Sequence, residues 1–381
     1  MSEWKKVKFL DVVHLNPRIS LEKGVEYPFV EMSNVVPCAR KPEKDVFKKY
    51  LGGGTKFEQG DTIVARIEPC LQNGKGFQCS YKQGFGSTEF IVFRPVNIND
   101  LDCDFLYYYM GQQAIREAMA KTMVGASGRQ RVNNKVFIDL QINLPPLSIQ
   151  HCIANILSRY DSLIENYQKQ IKLLEEAAQR LYKEWFVDLR FPGHENTNII
   201  DGLPEGWEMK KVGEIAIISA GGDKPDVVTE EQTTECQVPI YSNGTTKEGL
   251  YGYTNKSSNT AGSITVSARG SIGFACLRMH DYFSIVRLIS IKPQNNVDLM
   301  YLFQFTKVHT FMSNGAAQQQ LTVPMVKAID VVYPAESLLE AFENVVLPLY
   351  KKVQSLQSQL RLLTEARDRL LPKLMSGEIT V

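Results

Sequence analysis

Residues 168–186 and 357–375 of this 381-residue chain are two copies of one segment. QKQIKLLEEAAQRLYKEWF and QSQLRLLTEARDRLLPKLM align without a gap at an offset of 189 residues. Eight of the nineteen positions are identical: Gln168, Gln170, Leu173, Leu174, Glu176, Ala177, Arg180 and Leu181 in the first copy. A repeat of this length means that the chain builds two like units, each carrying its own copy of the element.

The repeat has a heptad phase. Ile153, Tyr160, Tyr167, Leu174 and Leu181 recur every seven residues, and their counterparts Phe342, Leu349, Leu356, Leu363 and Leu370 are all apolar. A second seam follows at Leu157, Ile164, Ile171, Ala178 and Trp185, and again at Val346, Val353, Leu360 and Leu374, interrupted at Arg367. Seven-residue spacing sustained over about five heptads predicts long helices packed as a coiled coil. The ten residues of the first seam are the expected helix-packing set. Leu371-Pro372 stands where the first copy has Tyr182-Lys183, so Pro372 is expected to end or kink the second helix.

The segments before the helices repeat more loosely. Gly60-Asp-Thr-Ile-Val-Ala-Arg66 parallels Gly262-Ser-Ile-Thr-Val-Ser-Ala-Arg269, and Asp104-Phe-Leu-Tyr parallels Asp298-Leu-Met-Tyr. Short β-branched and aromatic runs punctuated by Gly, Asn and Pro read as β-rich globules with one or two helices. Residues 30–58 and 223–258 show no kinship. Leu144-Pro-Pro-Leu147, the polar stretch after Phe191, and Tyr333-Pro334 mark boundaries. The fold class is therefore α+β: two similar β-rich domains, residues 1–147 and 203–336, separated by two long antiparallel helices, 148–190 and 337–381. Residues 191–202 form a linker, and the whole has a pseudo-two-fold repeat.

Catalytic chemistry is missing from the sequence. Leu144-Pro-Pro-Leu lacks the polar first residue of a methyltransferase tetrapeptide, Gly52-Gly53-Gly54 lacks dinucleotide-binding spacing, and no Walker A sequence occurs. Cys276-x3-His280 is an isolated pair, best read as a buried cysteine and a surface histidine, whereas a tetrahedral zinc site needs four ligands. No enzyme activity, metal or cofactor is expected. Seven scattered cysteines, no long apolar run and no leader-like N-terminus suggest a reduced, cytoplasmic protein away from membranes. The net charge is only +1; residues 1–147 lean basic, with 20 Lys and Arg against 16 Asp and Glu. A chain so weakly charged needs partners to neutralise much of any DNA backbone it holds.

Two variable globules, each followed by a copy of one long helix, resemble the specificity (S) subunit of type I restriction–modification systems. The matching residues are Leu203-Pro-x-Gly-Trp207-Glu-x4-Gly213-Glu-Ile215, and Leu144-Pro-Pro-Leu-x-Ile-Gln150 running through Ser162-x-Ile164 into Leu173-Leu-Glu-x-Ala and Trp185-Phe186. The resemblance covers essentially the whole chain. It implies a non-catalytic subunit that recognises two different half-sites in double-stranded DNA, separated by unspecified bases. It also implies two modification (methyltransferase) subunits and, beyond them, restriction subunits carrying the ATPase and nuclease. Ser148–Phe186 as one helix would span ~58 Å at ~1.5 Å per residue, a ruler for the gap. A solitary recognition subunit serving another type of enzyme is the alternative.

Base reading needs Arg, Lys, Asn, Gln, Ser or Thr at groove edges. The densest candidates are Ser127, Arg129, Gln130, Arg131, Asn133, Asn134 and Lys135 in the first globule, with Arg66 and Lys75. Gln318, Gln319, Gln320 and Thr322 are their counterparts in the second, with Asn243, Lys247 and Arg269.

Overall fold

In a computed structural model, which describes residues 4–126, 130–311 and 320–381, the chain divides into two compact units. The first comprises residues 1–168 and 357–381, the second residues 169–356, so each unit holds one globule with part of each long helix.

The centre of the first unit is a four-stranded antiparallel sheet ordered Val13–Leu15, Phe90–Pro95, Thr62–Ala65 and Gly76–Gln78. Thr62-Ile-Val-Ala is buried at all four positions because the sheet is covered on both faces. A second sheet orders Phe47–Lys49, Glu26–Val30, Gln83–Gly86 and Thr55–Glu58, with one parallel join between its two middle strands. Gly52, Gly53 and Gly54 all have positive φ and turn the chain into Thr55–Glu58, where a side chain on Gly54 would collide with the Gly86 carbonyl. They form a tight turn into that strand. The strand Lys5–Lys8 pairs with Gln141–Leu144, so the globule opens beside its own last strand.

The second unit repeats the central sheet strand for strand: Ala216–Ala220, Ile289–Pro293, Ser263–Val266 and Ala275–Arg278. Glu208–Lys211 pairs with Asp330–Tyr333 as the opening strand does in the first unit. The middles that share no sequence share a device, since Val238–Tyr241 joins Phe283–Ser284 in parallel and Leu250–Thr254 antiparallel. The motif glycine Gly213 lies where a Cβ would press on Lys327, which lets the short helices Val212–Ile215 and Val323–Lys327 pack closely.

The first long helix spans Leu147–Tyr182 and continues as a π turn over Lys183–Val187; the second spans Glu336–Ser376. Within the first unit Ile153 and Leu157 share a core with Leu374 and Met375, while Asp161 meets Arg367, so the two segments run antiparallel. Within the second unit Tyr182, Trp185 and Phe186 pack on Phe342, with ring centroids 6.3, 5.7 and 4.9 Å away. In the expected packing set, Ile153, Phe342 and Leu356 are buried, and Tyr160, Tyr167, Leu174, Leu181, Leu349, Leu363 and Leu370 are half-buried. The second seam is covered more completely, through Leu157, Ile164, Ala178, Val346, Val353 and Leu374.

Two expectations need correcting. Pro372 does not end the second helix, which passes through it and through Pro348 to stop at Ser376 before Gly377 in the left-handed region. Both prolines are exposed, so each ring sits on the solvent side while Leu374 and Met375 are buried beyond. Arg367 does not interrupt the seam either; it is buried there and ion-paired.

Candidate nucleic-acid interface

In the first unit, the central strand Thr62–Ala65 runs out at Arg66. The Arg66 N–H donates to the Glu89 carbonyl at 2.9 Å and its carbonyl accepts from the Val132 N–H at 2.9 Å. Arg131 exchanges both backbone hydrogen bonds with Val124, each 3.0 Å. This stitching brings the loop around residue 131 onto the strand end. There the Arg131 guanidinium grips Glu89 through two bonds, Nε to Oε2 at 2.8 Å and Nη2 to Oε1 at 2.6 Å. The Arg131 hydrogen bond holds the Glu89 carboxyl below the usual carboxylate range despite some burial, and Arg66 adds a smaller pull. The Arg66 Nε is buried without a hydrogen-bond partner.

The second unit has the same joint with different chemistry. The Leu321 N–H donates to the Ala268 carbonyl at 3.0 Å, and Arg269 Nη2 donates to Gln320 Oε1 at 3.0 Å. A charged pair at one joint is thus matched by a guanidinium–amide pair at the other. Arg287, exposed with φ of 61°, lies beside this joint, since Val286 accepts from Asn243.

The remaining expected residues differ in what they leave free. Gln130 is half-buried and Lys135 exposed. Asn133 accepts the Lys135 N–H at 3.1 Å, just ahead of the short helix Val136–Asp139 that Lys135 caps; Asn134 buries its Oδ1. Lys75 donates to the Met32 carbonyl at 2.8 Å. Asn243 spends both ends of its amide within the unit, donating to Val286 O and accepting from the Ala268 N–H, each at 2.7 Å. Lys247 is exposed with φ of 48°, and Thr322 stands at the N-cap of Val323–Lys327 without a side-chain bond. Ser127, Arg129, Gln318 and Gln319 lie outside the described residues. Sequence reasoning missed Glu89, whose only sequence cue is a lone acid before Phe90-Ile-Val-Phe. It also missed the buried Arg278, stacked 3.6 Å from the Tyr241 ring centroid and bonded to Thr265 at 2.9 Å.

Exposed guanidinium and amide groups held at strand ends can present donors and acceptors to base edges. Among the described residues, the same ends hold no paired nucleophile and base. Burial pushes the thiols of Cys79, Cys103 and Cys276 up to about 12, 11 and 11, so these stay protonated near neutral pH. His280, expected at the surface, is exposed, with Nε2 3.0 Å from the Tyr241 phenol oxygen; partial burial of the ring lowers its pKa. All seven cysteines are free thiols. Among the described residues no three His, Cys, Asp or Glu are grouped to hold a metal, and no helix is long and apolar enough to cross a membrane.

Known proteins share this plan. The family described as the type I restriction modification DNA specificity domain matches residues 1–176 and again residues 204–337. The MjaIX specificity subunit, from a type I restriction enzyme of Methanocaldococcus jannaschii, is 26% identical over 302 residues, covering 73% of this chain and 69% of that one. The HindI specificity subunit of Haemophilus influenzae is 21% identical over 466 aligned positions that cover 100% of each chain. The crystal structure of the S subunit of a type I restriction–modification system from M. genitalium superposes with a TM-score of 0.61 at 19% identity, over 98% of this chain and 96% of that one.

Proposed function

The chain belongs to the type I restriction–modification DNA specificity family, and from this premise we propose how it divides the labour of recognition. It is the DNA sequence-recognition subunit, which selects the site and leaves methyl transfer and cleavage to others. Residues 1–147 and 203–336 each act as a target-recognition domain and read different half-sites. The helices within 148–190 and 337–381 act as spacers, with 191–202 as linker. One observation carries this reading: the two units share a central sheet strand for strand, yet end it in unlike polar clusters, Glu89–Arg131 in one and Arg269–Gln320 in the other. Like scaffolds with unlike tips suit one bipartite target with two unequal halves.

Arg66, Gln130, Arg131 and Lys135 are the groups we assign to DNA in the first domain, and Lys247, Arg269, Gln320 and Thr322 in the second. Arg129, Ser127, Gln318 and Gln319 flank them in sequence and join the assignment. Lys75, Asn133, Asn134 and Asn243 shape the loops that carry them. Two modification subunits supply S-adenosylmethionine chemistry and much of the phosphate neutralisation that a chain of net charge +1 cannot. Restriction subunits join that core, in the reducing cytoplasm that seven free thiols suit. The test is to express the chain with and without a methyltransferase partner and map methylated sites genome-wide. One bipartite motif, changed in a single half when one domain is exchanged, is the expected outcome. Methylation at a continuous or unchanged motif overturns the reading.

A further inference from the structure

Backbone strain in the second unit is concentrated in two joined turns. Among the described residues, eight other than glycine have positive φ, and four of these are Lys247, Glu248, Val286 and Arg287. Val286 and Arg287, at φ of 54° and 61°, are the centre of a tight turn that the Leu288 N–H closes on the Ile285 carbonyl at 3.1 Å. Asn and Gly fill such positions cheaply, whereas a β-branched valine there is an outlier that persists only where its surroundings impose it. The surroundings are visible. Val286 and Arg287 donate their N–H groups to Gly222 and Gly221, and the Val286 carbonyl accepts from Asn243 Nδ2 at 2.7 Å. The same Asn243 amide holds Ala268, next to Arg269, and belongs to the loop that carries Lys247. That loop is braced in turn by the buried Arg278, whose guanidinium bonds the Glu248 carbonyl at 2.6 Å and its carboxylate at 3.3 Å.

Charge gives these turns a purpose. Residues 203–336 carry 11 Lys and Arg against 13 Asp and Glu, so the domain as a whole repels a polyanion. Among the described residues, only Lys247, Arg287 and Lys327 of those cations have side chains without a hydrogen bond or ion pair. Two of the three stand exposed on the left-handed turns, while the one acid of those turns, Glu248, is drawn onto Arg278. The first unit arranges the matching place differently. Ile289 lies opposite Val266 as Phe90 lies opposite Ala65, so the buried Leu288 occupies the position of Glu89. Arg287 therefore has no acid to fix its plane as Glu89 fixes Arg131. A guanine edge requires a fixed plane, and a phosphate does not.

We propose that Lys247 and Arg287 form a phosphate clamp that seats the second domain on the DNA backbone, leaving Arg269 and Gln320 to read bases. The inference rests on the reading of the chain as a DNA-recognition subunit and divides the labour within its second domain. Arg278 and Asn243 are positioning residues of the clamp, since they hold the two turns and touch no DNA themselves.

The full chain, purified with the methyltransferase subunit, is titrated across a range of salt with a duplex carrying its methylated site and with a scrambled duplex. Wild type, Lys247→Ala, Arg287→Ala, the double variant and Arg287→Lys are compared, with the melting temperature and the methylated motif of each. The expected result is a salt slope lower by about 0.9 for each alanine change and about 1.8 for the double variant, alike on both duplexes. Arg287→Lys should keep the wild-type slope, because a lysine serves a phosphate as a point charge. Motif and melting temperature should not change. An unchanged slope in the double variant overturns the proposal. So does a motif relaxed at one base by Arg287→Ala and not restored by lysine, which would make Arg287 a base reader. A lower melting temperature in either alanine variant overturns it too, since the side chains would then be holding the turns. A wild-type complex with no preference between the duplexes overturns the underlying reading and the proposal together.

Discussion

Arg367 donates to Asp161 across 2.9 Å, with the two side chains only 11% and 7% exposed. Asp161 also accepts the Tyr108 hydroxyl at 2.5 Å, and the guanidinium satisfies its other donors on Cys38 O and on Asp368. Burial opposes the charge on Arg367, but hydrogen bonding to Asp161 and the fields of Asp368 and Asp161 more than offset it and raise its pKa. The corresponding positions in the second unit are Ala178 and Tyr350, and there Gln304 donates to the Tyr350 hydroxyl at 3.0 Å. A charged lock in one unit is thus matched by a neutral one in the other.

Replacing Arg367 with Met leaves Asp161 buried with its countercharge gone. The first unit should lose ~3–5 kcal/mol of stability, and pairing Arg367→Met with Asp161→Leu should recover most of it, because an apolar pair of similar volume carries no desolvation cost. Chemical denaturation of the four chains of this double-mutant cycle measures the coupling. Simple additivity of the two single changes would mean that the pair does not act as a unit.

Glu343 gives the second unit a pH dependence. Its carboxylate accepts the Met300 N–H at 2.9 Å, near Asp298 and Lys351, and burial pushes its pKa from 4.5 up to about 7. A carboxyl raised in the folded state penalises the native form once ionised. Relative to Glu343→Gln, the wild type should therefore be most stable at and below the ordinary carboxyl range, lose ground as pH rises towards 7, and level off above. Melting curves of the two chains between pH 4.5 and 8.5 check this, and parallel profiles would refute it.

How far the sequence leads depends on the range of the interaction. The helices were legible because their signal repeats every seven residues, and the β-rich globules because Thr62-Ile-Val-Ala and Phe90-Ile-Val-Phe are local runs. Arg367 read as a flaw in the seam because the acid that accommodates it lies 206 residues earlier. Glu89 was invisible for the same reason, its partner Arg131 being 42 residues away. The kinship of the two middles resides in a parallel strand join that Phe29↔Phe85 and Ile240↔Phe283 make without a shared motif.

Pro348 and Pro372 sit inside the second long helix, each withholding a backbone N–H from the carbonyl four residues earlier. At Pro372 the first copy has Lys183, where its own helix passes into a π turn. Pro348→Ala should stabilise the chain, by at most the ~3 kcal/mol that an interior proline costs. Denaturant midpoints at constant slope measure the gain. A loss of stability would mean that the ring makes contacts the helix needs.

Arg131 and Glu89 offer the sharpest functional test. In the free protein Glu89 holds the Arg131 guanidinium in one orientation through two hydrogen bonds, and Arg131 remains half-exposed. A guanidinium fixed in this way is prepared for a bidentate contact with a guanine edge. Arg131→Ala should weaken binding to the specific site roughly tenfold to a hundredfold, relax selection at one position of one half-site, and leave non-specific binding nearly unchanged. Glu89→Gln should keep the arginine but loosen its aim, so specific binding falls less while the chain's affinity for any DNA rises with the removal of a negative charge. Titrations of the chain with its methyltransferase partner, on specific and scrambled duplexes across a range of salt, separate these cases. If Arg131→Ala weakens both duplexes equally and lowers the salt slope by about one, Arg131 contacts phosphate and the base-reading assignment falls.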